Sequence, residues 1–251
     1  MENRIIFLGS DGKYCLRFLS PEKRDDRELV WQTFARIKEK YGLYSTAYSS
    51  IIRGIDKRTL RGSQFLFELE LESNLQKGQR IPRLKDWKDA FLYMGRGQMI
   101  GVYSSTPQII LNYPEDEFKK NFYLTRDLAR KVASLGYEIS PNNPAIITGA
   151  KIEKLSSAND SYGISLNING AQIENDRRFS EEHEDINMGI TKKILFTGSH
   201  GLRGIDIFGQ RYIAEKSDLS YSNERGRIAV IEKIGELPYS SGKLDWNPLC
   251  S

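Results

Sequence analysis

Apolar residues recur along the chain with two different periods, and the changes of period mark out its elements. Residues 4–8 and 13–19 alternate around the turn signal Ser10-Asp11-Gly12, which predicts two short strands. Leu29, Val30, Phe34 and Ile37 then fall on one face of a helix. It is capped by Asp25 or Asp26, runs to about Lys40 and stops at Gly42. Residues 43–62 are rich in Tyr, Ser, Arg and Gly and predict a loop or irregular crossing. From Phe65 to Glu72 the alternation is strict. Phe65, Phe67, Leu69 and Leu71 would share one face of a strand, with Glu68, Glu70 and Glu72 on the other.

A short helix is expected over Leu84–Tyr93. Strands are expected at 98–104 and 108–112, divided by Thr106-Pro107. Pro114 opens a helix with Glu115, Asp116 and Glu117 in its first turn, ending at Leu135 before Gly136. Ala145–Leu155 reads as one strand. Residues 1–156 thus run β-α-β-β-α-β, the order of a ferredoxin-like α+β core. Beyond 157 the pattern becomes β-rich. Ile164, Leu166 and Ile168 alternate ahead of a hairpin signal at Asn169-Gly170, and strand-like runs cover 194–197, 204–208, 212–214 and 227–234. A core over 1–156 with a β-rich C-terminal extension over 157–251 is the expected organisation, within one domain or two.

Composition narrows the class. With 251 residues, 39% hydrophobic and 28% charged, the chain is too apolar for disorder and too long for a disulfide miniprotein. Its two cysteines, Cys15 and Cys250, fit a reduced compartment. Ile5-Ile6-Phe7-Leu8 is too short for a signal h-region, and no run approaches the ~20 apolar residues of a membrane span. A cytoplasmic protein away from membranes is expected. The net charge of +4 is compatible with a polyanionic partner. Only His183 and His200 are present, and no HExxH, Walker A or GxSxG motif occurs.

Basic residues gather in two places. Arg53, Lys57, Arg58 and Arg61 form one cluster, preceded by Tyr41, Tyr44 and Tyr48. Lys77, Arg80, Arg83, Lys85 and Lys88 form the other, with Trp87 among them. Arg and Lys neutralise phosphates, while Tyr and Trp stack on unpaired bases, so both clusters point to DNA or RNA. Arg61–Phe67 and Ile6–Gly9 partly resemble the RNP1 and RNP2 stretches of RNA-recognition motifs, although Ser63 stands where an aromatic is usual. That resemblance implies strand aromatics stacking on bases.

Two sets of residues suggest catalysis. Asp56, with Glu68 and Glu70 spaced i and i+2, resembles the ligand pattern of restriction-type nucleases, which would hold Mg²⁺ and activate a water. The same glutamates also suit the solvent face of a half-buried strand. His200, flanked by Gly198 and Gly201 and followed by Arg203, suits a general acid or base near a phosphate. Arg178 and His183 have the RxxxxH spacing of the all-helical HEPN ribonucleases. The expected function is nucleic-acid binding, as a metal-dependent endonuclease of prokaryotic defence or mobile-element type. The alternatives are a non-catalytic subunit holding RNA or DNA in a ribonucleoprotein complex, and a protein–protein scaffold without nucleic acid.

Overall fold

The computed structural model describes residues 4–9, 11–41, 46–93, 103–112, 123–154, 164–176, 202–208, 211–213 and 222–236. In chain order the first elements are β1 Arg4–Leu8, β2 Lys13–Phe18, α1 Arg24–Tyr41, α2 Thr46–Gly54, β3 Ile55–Asp56, β4 Arg61–Gln64 and α3 Phe65–Glu72. Next come β5 Gln79–Arg80, α4 Leu84–Tyr93, β6 Tyr103–Leu111, α5 Tyr123–Ser134, β7 Ala145–Thr148 and β8 Lys151–Lys154. The last are β9 Ile164–Asn167, β10 Gln172–Asn175, β11 Leu202–Phe208, β12 Arg211–Ile213, β13 Ser222–Arg227 and β14 Ala229–Gly235.

The protein is α+β, with antiparallel sheets. One sheet has the order β1-β2-β14-β5 and a second the order β10-β7-β6-β11-β12. A third is β13-β4-β3, and β8 pairs with β9. Strands far apart in sequence therefore share sheets: β14 lies on β2, β11 on β6 and β13 on β4. The five-stranded sheet separates two apolar clusters. Ile109 and Leu111 face one built from α1, α3 and α5. Ile110 faces the other, built from β1, β2 and α4 around Trp87. No helix among the described residues is long and apolar enough to cross a membrane.

Several expectations hold. The β1–β2 hairpin closes at Asp11-Gly12, with Leu8 opposite Lys13 and Gly9 N–H donating to the Gly12 carbonyl at 2.9 Å. Helix α1 buries Val30, Phe34 and Ile37, as its periodicity requires. Helix α4 spans the expected residues.

Others are corrected. Phe65–Glu72 is a helix rather than a strand. The Gln64 side chain caps it by accepting the Phe67 N–H at 2.7 Å. Residues Phe65 through Leu71 are all buried, so no solvent-facing stripe distinguishes a period of 3.6 from one of 2. The β-α-β-β-α-β order counted this segment as a strand, and that count changes with it. Residues 43–62 were expected as a loop and contain α2, β3 and the start of β4. The strands expected on either side of Thr106-Pro107 are one strand, β6. It runs through Pro107 because its register with β11 shifts there, between Gly204 and Asp206, and its pairing with β7 begins at Gln108. The single strand expected over 145–155 breaks at Gly149, whose φ is +85°, into β7 and β8 in different sheets. Asn169-Gly170 does turn the chain, yet β9 and β10 pair with β8 and β7 and not with each other.

Candidate anion-binding cleft

A cleft of about 340 Å³ opens where the ends of three sheet segments meet the start of α1. Arg4, Arg17, Lys23, Arg61 and Arg227 line it, and Glu22 is the one acidic residue among its described lining. The hairpin register sets Arg4 directly opposite Arg17, and the β4–β13 register sets Arg61 directly opposite Arg227. Like charges facing each other across an antiparallel pair repel and destabilise it. Asp26 meets the Arg17 charge in the first pair, whereas Arg61 faces Arg227 in the second, so it is there that positive potential concentrates and an anion can relieve it.

The surroundings hold these side chains in place. Arg17 Nη1 donates to Asp26 Oδ2 at 2.8 Å, and the same oxygen accepts the Ser20 N–H at 2.9 Å, fixing the turn into α1. Arg227 lies 5.1 Å above the Phe18 ring, whose centroid is 6.2 Å from that of Trp87. Leu19 N–H donates to the Ile228 carbonyl at 2.9 Å and ties the two walls together. On the far side of the Arg17–Asp26 pair, a second cleft of about 420 Å³ is lined by Asp25, Glu28 and the amides of Gln32, Asn74, Gln76 and Gln79.

The third wall is the turn between β3 and β4, which supplies Thr59, Leu60 and Arg61. Asp56 builds this turn: Oδ1 accepts the Arg58 N–H at 2.8 Å and Oδ2 accepts the Thr59 hydroxyl at 2.7 Å. These donors, the Arg58 N–H foremost, hold the Asp56 carboxyl below its ordinary value. Leu60 takes a left-handed φ of 51°, and Gly62 follows at φ +110°. A Cβ on Gly62 would stand 1.8 Å from the Gly54 carbonyl oxygen, so only glycine fits where β4 crosses the end of α2.

The expected metal site takes a different form. Asp56 is exposed and bound into its own turn, whereas Glu68 and Glu70 are buried on α3. On a helix, positions i and i+2 diverge by roughly 200° instead of sharing a face. Glu70 receives the Lys40 ammonium at 3.0 and 3.1 Å. Among the described residues no group of three or more His, Cys, Asp or Glu side chains could hold a metal ion. His200, His183 and Arg178 lie outside the described residues, as does Tyr44. Arg203 lies on β11 opposite Ile110, and its side chain, like those of Tyr41 and Tyr48, is outside the described set.

The two basic clusters differ. Arg53 and Arg58 are exposed, and Arg61 enters the cleft. The Lys57 ammonium sits 4.1 Å from the Phe34 ring centroid. In the other cluster, Lys77 is exposed, but Arg80 forks onto both oxygens of Asp86. Asp86 also accepts the Arg83 N–H at 2.7 Å at the start of α4. Trp87 is 0% exposed, which removes it as a stacking surface. The RNA-recognition resemblance is corrected likewise, because Phe7, Phe65 and Phe67 are core residues. Arg4, Arg17, Lys23 and Arg227 were absent from the expected set. The first two become opposite neighbours once the Ser10-Asp11-Gly12 turn fixes the hairpin register, so that pair was open to sequence reasoning.

No protein-family model, curated protein or solved structure matches the chain.

Proposed function

We propose that this protein binds nucleic acid by its phosphates, with the arginine cleft and the exposed Arg53–Arg61 turn as the contact surface. The observation that carries this reading is the Arg61–Arg227 couple on a cleft also lined by Arg4, Arg17 and Lys23, with a single acidic lining residue among those described. A phosphate neutralises several arginines at once through forked hydrogen bonds. Binding takes precedence over cleavage because Glu68 and Glu70 are buried in α3 while Asp56 is held in its own turn. A role holding RNA or DNA within a larger assembly fits a basic cleft flanked by an exposed basic turn.

The test is the Arg61→Ala/Arg227→Ala double variant, titrated with labelled DNA and RNA across a salt series. Each lost phosphate contact should flatten the slope of log K against log salt by about 0.7–0.9. Loss of two contacts should weaken binding about tenfold or more at fixed salt. An unchanged slope removes the cleft from the interface. Failure of the native protein to bind at low salt removes nucleic acid altogether.

A further inference from the structure

We propose that Trp31 is a base-stacking platform beside the arginine cleft, so that the favoured ligand is an unpaired strand of nucleic acid rather than a duplex. This inference rests on the phosphate-binding reading above. Trp31 projects from α1 with 56% of its surface exposed, while Val30, Phe34 and Ile37 of the same helix are buried. More than half of this large ring faces solvent, and it lies next to the cationic turn. The Lys57 ammonium is 5.6 Å from the Trp31 ring centroid, and Lys57 opens the turn whose Thr59, Leu60 and Arg61 line the cleft.

Distance along the helix places the ring within reach of a bound strand. Lys23, just before α1, lines the cleft, and at ~1.5 Å per residue Trp31 stands roughly 10 Å further along. A span of that size is short enough for a few unpaired nucleotides to bridge, as the site sizes of single-strand-binding proteins allow. A strand with phosphates among Arg61, Arg227 and Arg17 can therefore lay a base on Trp31. Every base has a π-face, so such a contact tolerates sequence, but a base in a duplex is already stacked and paired. The cations supply the charge complement to the backbone and the indole supplies the complement to the base.

The experiment compares a short single strand with the duplex of the same sequence, using indole fluorescence and competition binding. The chain has three tryptophans; Trp87 is buried, and Trp246→Phe removes the third from the signal. The single strand should quench emission in the Trp246→Phe protein, and Trp31→Phe should abolish that quench while keeping most of the affinity. Trp31→Ala should weaken single-strand binding roughly tenfold and leave duplex binding unchanged. Equal affinity for strand and duplex, or a Trp31→Ala protein that binds the single strand like the native one, overturns the proposal. If the Arg61→Ala/Arg227→Ala variant still weakens binding in that case, the phosphate reading survives and only the stacking role of Trp31 fails. If neither variant changes binding, both fail.

Discussion

Residues 53–61 and 77–88 carry basic side chains at similar density, yet the fold puts them to opposite uses. In the second segment an acid meets Arg80, the cation at its centre, while Lys77, Lys85 and Lys88 stay exposed. Asp86 takes the Arg80 fork and the Arg83 N–H, and half-buried Glu72 stands in the field of Arg83 and Arg80. Trp87 from the same segment fills the apolar cluster of β1, β2 and α4. In the first segment the one acid, Asp56, is taken up by the Arg58 N–H and the Thr59 hydroxyl. Arg61 there faces Arg227 instead of a carboxylate. What separates a binding surface from a structural ion pair is where the counter-charge sits, and cation density alone is blind to that. The closed segment also supports the open one, since Trp87 packs near Phe18, over which Arg227 lies.

Substitutions that treat the two segments alike should therefore act very differently. The largest effect is expected from Trp87→Ala, which empties a fully buried site and should lower unfolding free energy by about 3–5 kcal/mol in urea titrations. Trp31→Ala in the same assay should cost no more than about 1 kcal/mol, because the ring is more than half exposed and its contact with the Lys57 ammonium is solvated. Comparable losses from both would end the distinction between core and platform tryptophan. Asp86→Ala comes next. It strips Arg80 of its fork and the start of α4 of its acceptor, and should cost about 2 kcal/mol, less than a fully buried pair because Arg80 retains solvent contact. Its unfolding midpoint should fall with little change in the slope of the transition. A native-like midpoint would show that the second basic segment is not held by its acid.

How much of this was legible depends on whether neighbours in sequence or neighbours in space decide each element. Helices α1 and α4 and the β1–β2 hairpin are local. An amphipathic stripe with Asp26 at one end, or a turn with its register, suffices to specify them. Helix α3 is not local in this sense. Eight residues of Leu/Phe and Glu satisfy a strand's alternation, and only burial on every side, with Lys40 arriving from α1 to meet Glu70, makes the helix acceptable. Helix α2, Thr46–Gly54, does carry a helical stripe, Ala47, Tyr48, Ile51 and Ile52, but it is short and sits among Tyr, Ser, Arg and Gly that read as a loop. The cleft was half legible. Arg61 stood out in its cluster, but Arg227 reaches it only through the pairing of β13 with β4, across more than 150 residues that no local period connects.

The smallest of these effects should be a gain, and its sign is set by pH. Burial, as the leading cause, raises the Glu72 carboxyl above its ordinary value, against the opposing pull of Arg83, the Ile81 N–H and Arg80. A carboxyl raised in the folded state favours folding fully only below its unfolded value, where it is neutral in both states. As pH rises through the folded value that advantage disappears, and at neutral pH the protein bears a half-buried charge. Glu72→Gln keeps the shape and the acceptor for the Ile81 N–H while removing the charge. Its urea midpoint should exceed the native one at pH 7, and the difference should shrink to nothing near pH 4. A variant less stable than the native protein at pH 7 would mean that Arg83 and Arg80 outweigh burial at this carboxylate. The second basic segment would then be cross-linked by two acids, Glu72 as well as Asp86, which would set it still further from the open turn at 53–61.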